Sequence, residues 1–391
     1  MTRLMHGFPP APEGQVTLAN WRTAPFNRWA FQHVREIVPS ADIAHDPARV
    51  SPLPEALADL SSLELDPGRV LANFLEATDT DALVILHRGR IVFEHYANGM
   101  TAATPHILMS VSKSLLGLLA AILAARGVLD PGRPVTDYVP ELAATAYRGA
   151  AVRQLLDMRA GIDFDEDYLA TAGEIIEYRK ATNWNPLAPG ETPTDLRSYF
   201  GRLTRADGAH GGRFHYVSPN TDLLGWVIER AAHARYADLM SELLWRPMGA
   251  GHSAYITVDR LGAPRCAGGV CATARDLARV GQLLVEGGRG IVPESWIDDI
   301  AANGDPQAWA AGSFAAYYPG AAMHYRDKWY VLRGAAPLLF GMGVHGQNLY
   351  VDRALQLVVA KFSSQAQPID EQRIALTTRA VTSLRESLAG A

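Results

Sequence analysis

The sequence predicts a mixed α/β fold of the α+β kind, in which an antiparallel sheet built from both chain ends carries an inserted helical lobe. Two pairs of β-rich runs predict the sheet, one at 83–96 and the other at 346–363. The intervening chain has mainly helical spacing and loops, which predicts the lobe. A polar–apolar helix over residues 370–388 is expected to close the chain.

Each β-rich pair is divided by residues that favour turns. The first turn is predicted at residues 87–90 and the second near 352–353. Within the lobe, an apolar helix is predicted over 108–126, where Gly127 is suited to end it. A second helix is predicted over 276–288, ending at a glycine pair.

These patterns divide the chain into three regions. Residues 1–65, rich in proline and alanine, predict an irregular arm lying over the body. Residues 66–104 and 326–391 predict the α/β sheet domain, and residues 105–325 predict the mainly helical domain. The length of 391 residues is sufficient for this organisation.

Composition excludes several classes of function. The net charge of -5 comes from 36 basic and 41 acidic residues that are well mixed, so a nucleic-acid partner is not expected. The N-terminal segment lacks the apolar core of a secretory signal, and no apolar run reaches the length of a membrane span. We therefore expect a cytoplasmic protein. Cys266 and Cys271 are too few for a disulfide framework and are expected to be reduced, partly buried thiols.

The apolar helix begins with an unexpected polar stretch. Ser110 and Lys113 are three residues apart, which puts both side chains on one face at the helix start. There the backbone N–H groups favour a developing oxyanion. Lys113 would have to be neutral to act as a base for Ser110, and a hydrophobic pocket lowers a lysine pKa. The alternative is that Ser110 caps the helix while Lys113 extends to water.

Two further segments carry residues suited to the same chemistry. Tyr216 precedes a loop-to-helix turn, where a neighbouring lysine would lower its pKa and let it pass a proton to a leaving group. The alternative is a packed tyrosine before a helix capped by Asn220. Gly341, Gly343 and Gly346 interrupt a β-rich run, which indicates close backbone approach. Such a strand edge could supply a second N–H to an oxyanion hole.

These segments, in this order, resemble the serine β-lactamase-like superfamily: class C β-lactamases, D-alanyl-D-alanine carboxypeptidases and family VIII esterases. The resemblance covers residues 80–370. Within the superfamily, "LMSVSKSLLG", "DEDY", "SPNTDLLGWVIER" and "GMGVHGQNLYVD" resemble the nylon-oligomer hydrolases. The resemblance implies a β-lactamase/transpeptidase-like fold and a homodimer. It also implies a serine hydrolase that cleaves small linear amides or carboxylic esters through an acyl-enzyme, with no metal or cofactor.

Transferred residue by residue, the resemblance makes Ser110 the nucleophile, Lys113 its base and Tyr216 the proton donor. The backbone N–H groups of Ser110 and Val344 would form the oxyanion hole. Tyr168 would contact the bound amide, and Trp184 would lie on a mobile substrate loop. Arg179 stands where an efficient nylon-oligomer hydrolase has an aspartate that faces the substrate amino group, and Ala267 stands where it has a polar residue lining the same pocket. The implied substrate-binding set is Tyr168, Arg179, Trp184, Ser218, Ala267, Gly343 and His345.

Some residues depart from the pattern and keep alternatives open. Gly341 stands where penicillin-recognising enzymes have a cationic residue, which argues against a dedicated β-lactamase or carboxypeptidase. A short-chain carboxylesterase without nylon-dimer activity is the main alternative. A non-catalytic binding protein is less favoured, because the three catalytic residue types are all present. Residues 163–174 nearly match a calcium loop, but Tyr168 occupies the position that requires glycine, so we expect a solvated acidic loop.

Overall fold

A computed structural model describes residues 4–60 and 63–389 of the chain. Its strands are β1 Ser40–Ile43, β2 Glu64–Asp66, β3 Arg69–Val70, β4 Thr80–His87, β5 Arg90–Tyr96, β6 His106–Ile107, β7 Ala254–Thr257, β8 Val270–Ala272, β9 Met323–Arg326, β10 Trp329–Leu332, β11 Leu338–Gly343, β12 Gln347–Asp352 and β13 Leu357–Ser363. Its α-helices are α1 Asn27–Ala30, α2 Leu71–Ala77, α3 Val111–Ala125, α4 Val135–Tyr138, α5 Val152–Leu156, α6 Glu174–Ala181, α7 Leu196–Phe200, α8 Ser218–Ala232, α9 Tyr236–Met240, α10 Arg246–Met248, α11 Ala274–Val285, α12 Glu294–Ala302, α13 Pro306–Ala310 and α14 Glu371–Ala389.

The main sheet has seven antiparallel strands in the order β5-β4-β13-β12-β11-β10-β9. Strands β4 and β5 come from the N-terminal part of the chain and the other five from the C-terminal part. The two parts meet where β13 pairs with β4, with Val359 opposite Ile85. The predicted antiparallel sheet built from both chain ends is therefore confirmed.

Helices cover both faces of this sheet. Successive side chains of a strand point to opposite faces, and β13 shows the consequence. Val358 and Ala360 lie in the core cluster that contains α3 and α11, whereas Leu357 and Val359 lie in the cluster that contains α2 and α14. Burial on both faces explains why β13 reads as a continuous apolar run instead of an alternating one.

Helix α3 lies at the centre of the helical lobe and is buried over most of its length. Two glycines allow neighbouring segments to approach closely. A Cβ at Gly117 would lie 2.2 Å from the carbonyl oxygen of Asp327, in the turn between β9 and β10. A Cβ at Gly225 of α8 would lie 2.4 Å from the sulfur of Cys266. The turn between β9 and β10 therefore packs directly against α3, and the segment before β8 packs directly against α8.

The predicted hairpins are confirmed as β4–β5 and β12–β13, and the predicted long helices as α3, α11 and α14. A second sheet, in the order β1-β7-β8-β6, is not predicted by the sequence. Its strand β1 ties the N-terminal arm to the lobe. Cys266 and Cys271 are free, and both are fully buried instead of partly buried. Among the described residues, no helix is long and apolar enough to cross a membrane.

Candidate active site

Ser110 occupies a tight turn between β6 and α3. Leu108, which follows β6, donates its N–H to the Val270 carbonyl at 2.8 Å and so fixes the approach to the turn. Met109 adopts φ +45°, a left-handed conformation that costs a non-glycine residue energy. Ser110 then directly precedes α3 and borders a cavity. The backbone strain is therefore stored next to the predicted nucleophile.

The other serines of the helix start have structural roles. Ser112 accepts the Val270 N–H at 3.1 Å, and Ser114 donates to the Lys328 carbonyl at 2.9 Å. Both bonds satisfy backbone groups of segments packed against α3. Ser110, in contrast, makes no side-chain capping bond to the helix. The helix-cap alternative for Ser110 is therefore wrong.

Lys113 lies beneath the cavity floor and is only 1% exposed. Its Nζ lies 2.9 Å from Ser110 Oγ, 3.2 Å from Ser218 Oγ and 2.7 Å from the Ala267 carbonyl oxygen. The alternative in which Lys113 extends to water is therefore wrong. Burial lowers the pKa of Lys113 to about 7, as the sequence predicts.

The hydrogen bonds around Lys113 determine where its lone pair is available. The Ala267 carbonyl can only accept. Ser218 Oγ donates to Glu166 at 2.5 Å, so it must accept from Lys113. A neutral amine has two N–H groups, and these two acceptors use both. The lone pair of neutral Lys113 is therefore left for the hydroxyl proton of Ser110.

Tyr216 lies beside both Ser110 and Lys113 and remains protonated. Its ring stacks on Phe314 with centroids 4.6 Å apart, and its centroid lies 4.8 Å from Lys113 Nζ. Burial and the Glu166 carboxylate raise the pKa of Tyr216, and they outweigh the hydrogen bond with Ser110 that lowers it. The predicted fall in the Tyr216 pKa is wrong. The phenol is suited to donating a proton instead of accepting one.

The backbone of β11 approaches the turn at Ser110. A Cβ on Gly343 would lie 2.7 Å from the Leu108 carbonyl oxygen and 3.0 Å from the Ser110 nitrogen. The close approach predicted from the glycines is therefore confirmed. Val344 begins a 3₁₀ turn and Ser110 immediately precedes α3, so neither backbone N–H has a partner within the helix that follows.

Ser110 lies where two lobes of a cavity meet. The smaller lobe, about 550 Å³, is termed the aromatic lobe, and the larger, about 1220 Å³, the arginine lobe. Ser110, Tyr168 and Val344 border both lobes, so a substrate whose scissile bond reaches Ser110 can extend in two directions. The aromatic lobe is defined by Tyr216, Phe314, Tyr330 and Met342, and the arginine lobe by Arg22, Arg179, Trp184 and Arg265.

The predicted substrate-binding residues all border this cavity. Gly343 lies in the aromatic lobe, and the others lie in the arginine lobe, with Tyr168 shared. Trp184 is packed into the wall, where it meets Trp21 edge-on at 5.1 Å and donates to Thr257 Oγ1 at 3.1 Å. The set in the arginine lobe is Tyr168, Arg179, Trp184, Ser218, Ala267 and His345.

His345 has a structural role beside its place in the cavity wall. Its Nδ1 lies 2.7 Å from the Gln365 carbonyl, and its N–H donates to the Pro368 carbonyl at 2.9 Å. Burial lowers the pKa of His345 to about 4, so the ring is neutral near pH 7. These bonds fix the turn that follows β11.

Two carboxylates that sequence reasoning did not assign support the site. Glu166 accepts the N–H of Ser218 at 2.7 Å as well as its hydroxyl proton, and it hydrogen-bonds with Tyr168. Asp222 accepts the Ala267 N–H at 2.7 Å and pairs with Arg265. Both carboxylates thus hold groups that contact Lys113. Two features of the sequence could have identified these carboxylates. Glu166 lies two residues before Tyr168, and Asp222 lies one helical turn after Ser218.

The acidic segment around Glu166 is otherwise solvated. Asp163, Asp165 and Asp167 are exposed, whereas Glu166 turns toward Ser218. Across residues 4–60 and 63–389, no group of three or more histidine, cysteine or acidic side chains is arranged to hold a metal ion. The calcium-loop alternative therefore has no support in the geometry of this segment.

Comparison with known proteins gives consistent results. The sequence model of the beta-lactamase family matches residues 69–383 of this chain. A 6-aminohexanoate-dimer hydrolase from Paenarthrobacter ureafaciens is 37% identical over 366 residues, which cover 92% of this chain and 91% of the relative.

Solved structures show the same likeness. A candidate 6-aminohexanoate-dimer hydrolase from Bacillus anthracis superposes with a TM-score of 0.87 at 27% identity, covering 97% of this chain and 99% of the other. A D-stereospecific amidohydrolase from Streptomyces sp. has a TM-score of 0.57 at 19% identity, over 78% and 97% of the two chains. At that identity the second likeness concerns the fold alone.

Proposed function

This chain belongs to the beta-lactamase family of serine hydrolases, and we propose that it hydrolyses small linear amides and carboxylic esters through an acyl-enzyme on Ser110. The observation that carries the proposal is the 2.9 Å contact between Ser110 Oγ and the buried Nζ of Lys113. A lysine with a pKa of about 7 is partly neutral at physiological pH and can accept the serine proton.

In the first half of the reaction, Ser110 Oγ attacks the carbonyl carbon while its proton moves to Lys113 Nζ. The backbone N–H groups of Ser110 and Val344 stabilise the oxyanion that forms. The tetrahedral intermediate then collapses, and the C–N or C–O bond breaks. Tyr216 donates its proton to the departing nitrogen or oxygen, and Lys113 returns a proton to Tyr216. The products are an acyl-Ser110 ester and a free amine or alcohol.

In the second half, water attacks the acyl ester and passes a proton to Tyr216 as Tyr216 gives its own proton to Lys113. Collapse of this intermediate breaks the bond to Ser110 Oγ, which recovers its proton from Lys113. The carboxylic acid product leaves, and the site returns to its starting protonation. Glu166 and Asp222 hold Ser218 and Ala267, the groups that orient Lys113 throughout the cycle.

The linear dimer of 6-aminohexanoate is the reference amide, because the related enzyme is named for it. Extended chains fit a cavity that continues on both sides of Ser110. The second candidate is a carboxylesterase without dimer activity. It is favoured by Arg179, which borders the larger lobe and would repel an ammonium end of the dimer.

Amine release from the linear dimer, with p-nitrophenyl acetate as the ester control, distinguishes the two candidates. Ser110→Ala should abolish both activities and labelling by a fluorophosphonate. Ser112→Ala is the matched control: it should retain labelling, because Ser112 bonds to Val270 and does not border the cavity. Normal turnover by Ser110→Ala would reject the proposed mechanism. Ester turnover without dimer cleavage would select the carboxylesterase.

We also propose that the enzyme is a homodimer, as the sequence resemblance implies, and that it is cytoplasmic. Multi-angle light scattering of the purified protein measures its mass in solution. A mass close to that of one 42.4 kDa chain would contradict the dimer. Fractionation of the source cells tests the location, and recovery of activity outside the cytoplasmic fraction would contradict it.

A further inference from the structure

The arginine lobe contains three guanidinium groups close to the proposed nucleophile. Arg22 comes from the N-terminal arm, Arg179 from α6 and Arg265 from the segment before β8. Two of them contact the same ring: the guanidinium carbons of Arg22 and Arg265 lie 5.8 and 4.8 Å from the centroid of Trp184. Segments distant in sequence thus bring positive charge to one cavity wall.

Among the residues that the structure describes, only one of these cations has a carboxylate partner. Arg265 forms an ion pair with Asp222. Within residues 4–60 and 63–389, no carboxylate oxygen lies within 4 Å of Arg22 or Arg179. Their side chains donate instead to neutral oxygens, Arg22 to the Asn185 side chain and Arg179 to the Tyr168 carbonyl at 3.1 Å.

The donors of these groups are also incompletely satisfied. Arg265 is 6% exposed, and its Nε has no hydrogen-bond partner. The Nε of Arg22 is likewise buried without one. Arg179 is 7% exposed, and a single hydrogen bond from its five N–H groups is found among the described residues. A buried guanidinium without an anion is costly, and a carboxylate ligand would remove that cost.

The pKa values of Arg22 and Arg179 are lowered, which agrees with their burial in the lobe. Burial together with Arg179 and Arg265 lowers the pKa of Arg22 to about 9. Burial also lowers the pKa of Arg179, although the Glu166 carboxylate opposes the effect. Glu166 itself already accepts two hydrogen bonds from Ser218. Glu166, which also borders the lobe, and Asp222 therefore offset only part of the charge of the three guanidinium groups.

We infer that the arginine lobe is a carboxylate-binding subsite, and that the enzyme prefers linear esters or amides that end in a carboxylate. This inference rests on the proposed function, because the subsite adjoins Ser110. Arg22 and Arg179 bind the carboxylate, and Arg265, held by Asp222, adds to the positive field. The carboxylate belongs either to the acyl part or to the amine part of the substrate. A substrate with an ammonium in this lobe is disfavoured.

Matched substrates distinguish the two sources of the carboxylate. For the acyl part, p-nitrophenyl hydrogen adipate is compared with p-nitrophenyl hexanoate and with p-nitrophenyl 6-aminohexanoate. For the amine part, N-acetyl-6-aminohexanoate is compared with N-hexylacetamide. The carboxylate member should have a kcat/KM at least about tenfold higher in one of these arms, as expected for a charge-assisted hydrogen bond. The ammonium ester should be the poorest of the three.

Arg179→Gln and Arg22→Gln test whether the lobe causes the preference. Each should reduce the ratio of kcat/KM for carboxylate over neutral substrate by about 10- to 100-fold. Arg126→Gln is the matched control, because Arg126 is exposed at the C-terminal end of α3, about 24 Å along the helix from Ser110. That variant should retain the wild-type ratio.

Binding of adipate to Ser110→Ala, measured by calorimetry, tests the subsite without turnover. Binding that is weakened at least tenfold by adding Arg179→Gln would support the inference. No detectable binding, or equal binding by both proteins, would overturn it, as would Ser110-dependent hydrolysis with no carboxylate preference. Failure of the proposed function looks different: turnover would persist in Ser110→Ala while adipate still bound to the lobe.

Discussion

The contact between β11 and the turn at Ser110 gives a direct test of how the site is assembled. Gly343→Ala adds a single Cβ at this contact. The new atom would lie 2.7 Å from the Leu108 carbonyl oxygen and 3.0 Å from the Ser110 nitrogen, whereas ordinary contact begins at 3.4 Å. The obstructing atoms belong to backbone, so they cannot rotate away as a flexible side chain would.

The size of the effect follows from these distances. Strand β11 and the turn must separate by about 0.7 Å to restore ordinary contact. A misplacement of about 1 Å in an active site can reduce the rate about 100-fold. We therefore expect kcat/KM to fall at least about tenfold. Overpacking should also lower the free energy of unfolding by about 1–3 kcal/mol.

The assay is ester hydrolysis, combined with thermal unfolding to show that the variant is folded. Gly334→Ala is the control, because Gly334 is exposed and a Cβ there would meet no atom within 4 Å. It should retain wild-type activity. Wild-type kcat/KM in a folded Gly343→Ala protein would refute the argument that this contact positions the Ser110 and Val344 amides.

The remaining predictions concern proton transfer. Because only neutral Lys113 can accept the serine proton, kcat/KM for the ester should fall about tenfold per pH unit below about 7 and level off above it; a profile that is flat from pH 5 to 8 would contradict this. Glu166→Gln removes a carboxylate that raises the Lys113 pKa, so this acidic limb should move to lower pH while the plateau rate falls; an upward move would contradict the assignment. Tyr168→Phe should reduce amide hydrolysis more than ester hydrolysis, since amines need more help in leaving; equal losses would reject that role for Tyr168.

Local sequence patterns were sufficient to predict the two hairpins of the main sheet and the contact between Ser110 and Lys113. Apolar, β-branched runs divided by turn residues define β4–β5 and β12–β13 without tertiary information. Likewise, a spacing of three at a helix start brings Ser110 and Lys113 together wherever the helix lies. The spacing of glycines in β11 indicated close backbone approach because few other constraints require that residue.

The features that escaped prediction depend on contacts between distant segments. Strands β1 and β7 have four residues each and pair Ser40 with Thr257, so neither is long enough to show periodicity. The rise in the Tyr216 pKa requires its burial beside Glu166, which no local pattern shows. Arg22 meets the ring of Trp184 across more than 160 residues of sequence. The orientation of Arg179 likewise depends on contacts that the sequence does not show, such as its hydrogen bond to the Tyr168 carbonyl.

The charges of the arginine lobe are only partly separate from the proton-transfer chemistry. Arg265 lowers the pKa of Lys113, so a substitution at Arg265 should alter both specificity and the pH profile. Arg22 and Arg179 are not among the charges that shift Lys113. Substitution at these two positions should therefore change the preferred substrate charge with less direct effect on the base than substitution at Arg265. If an ammonium substrate is wanted, Arg179→Asp is consequently the first change, since it reverses the charge of the wall at a position that makes no hydrogen bond to Lys113.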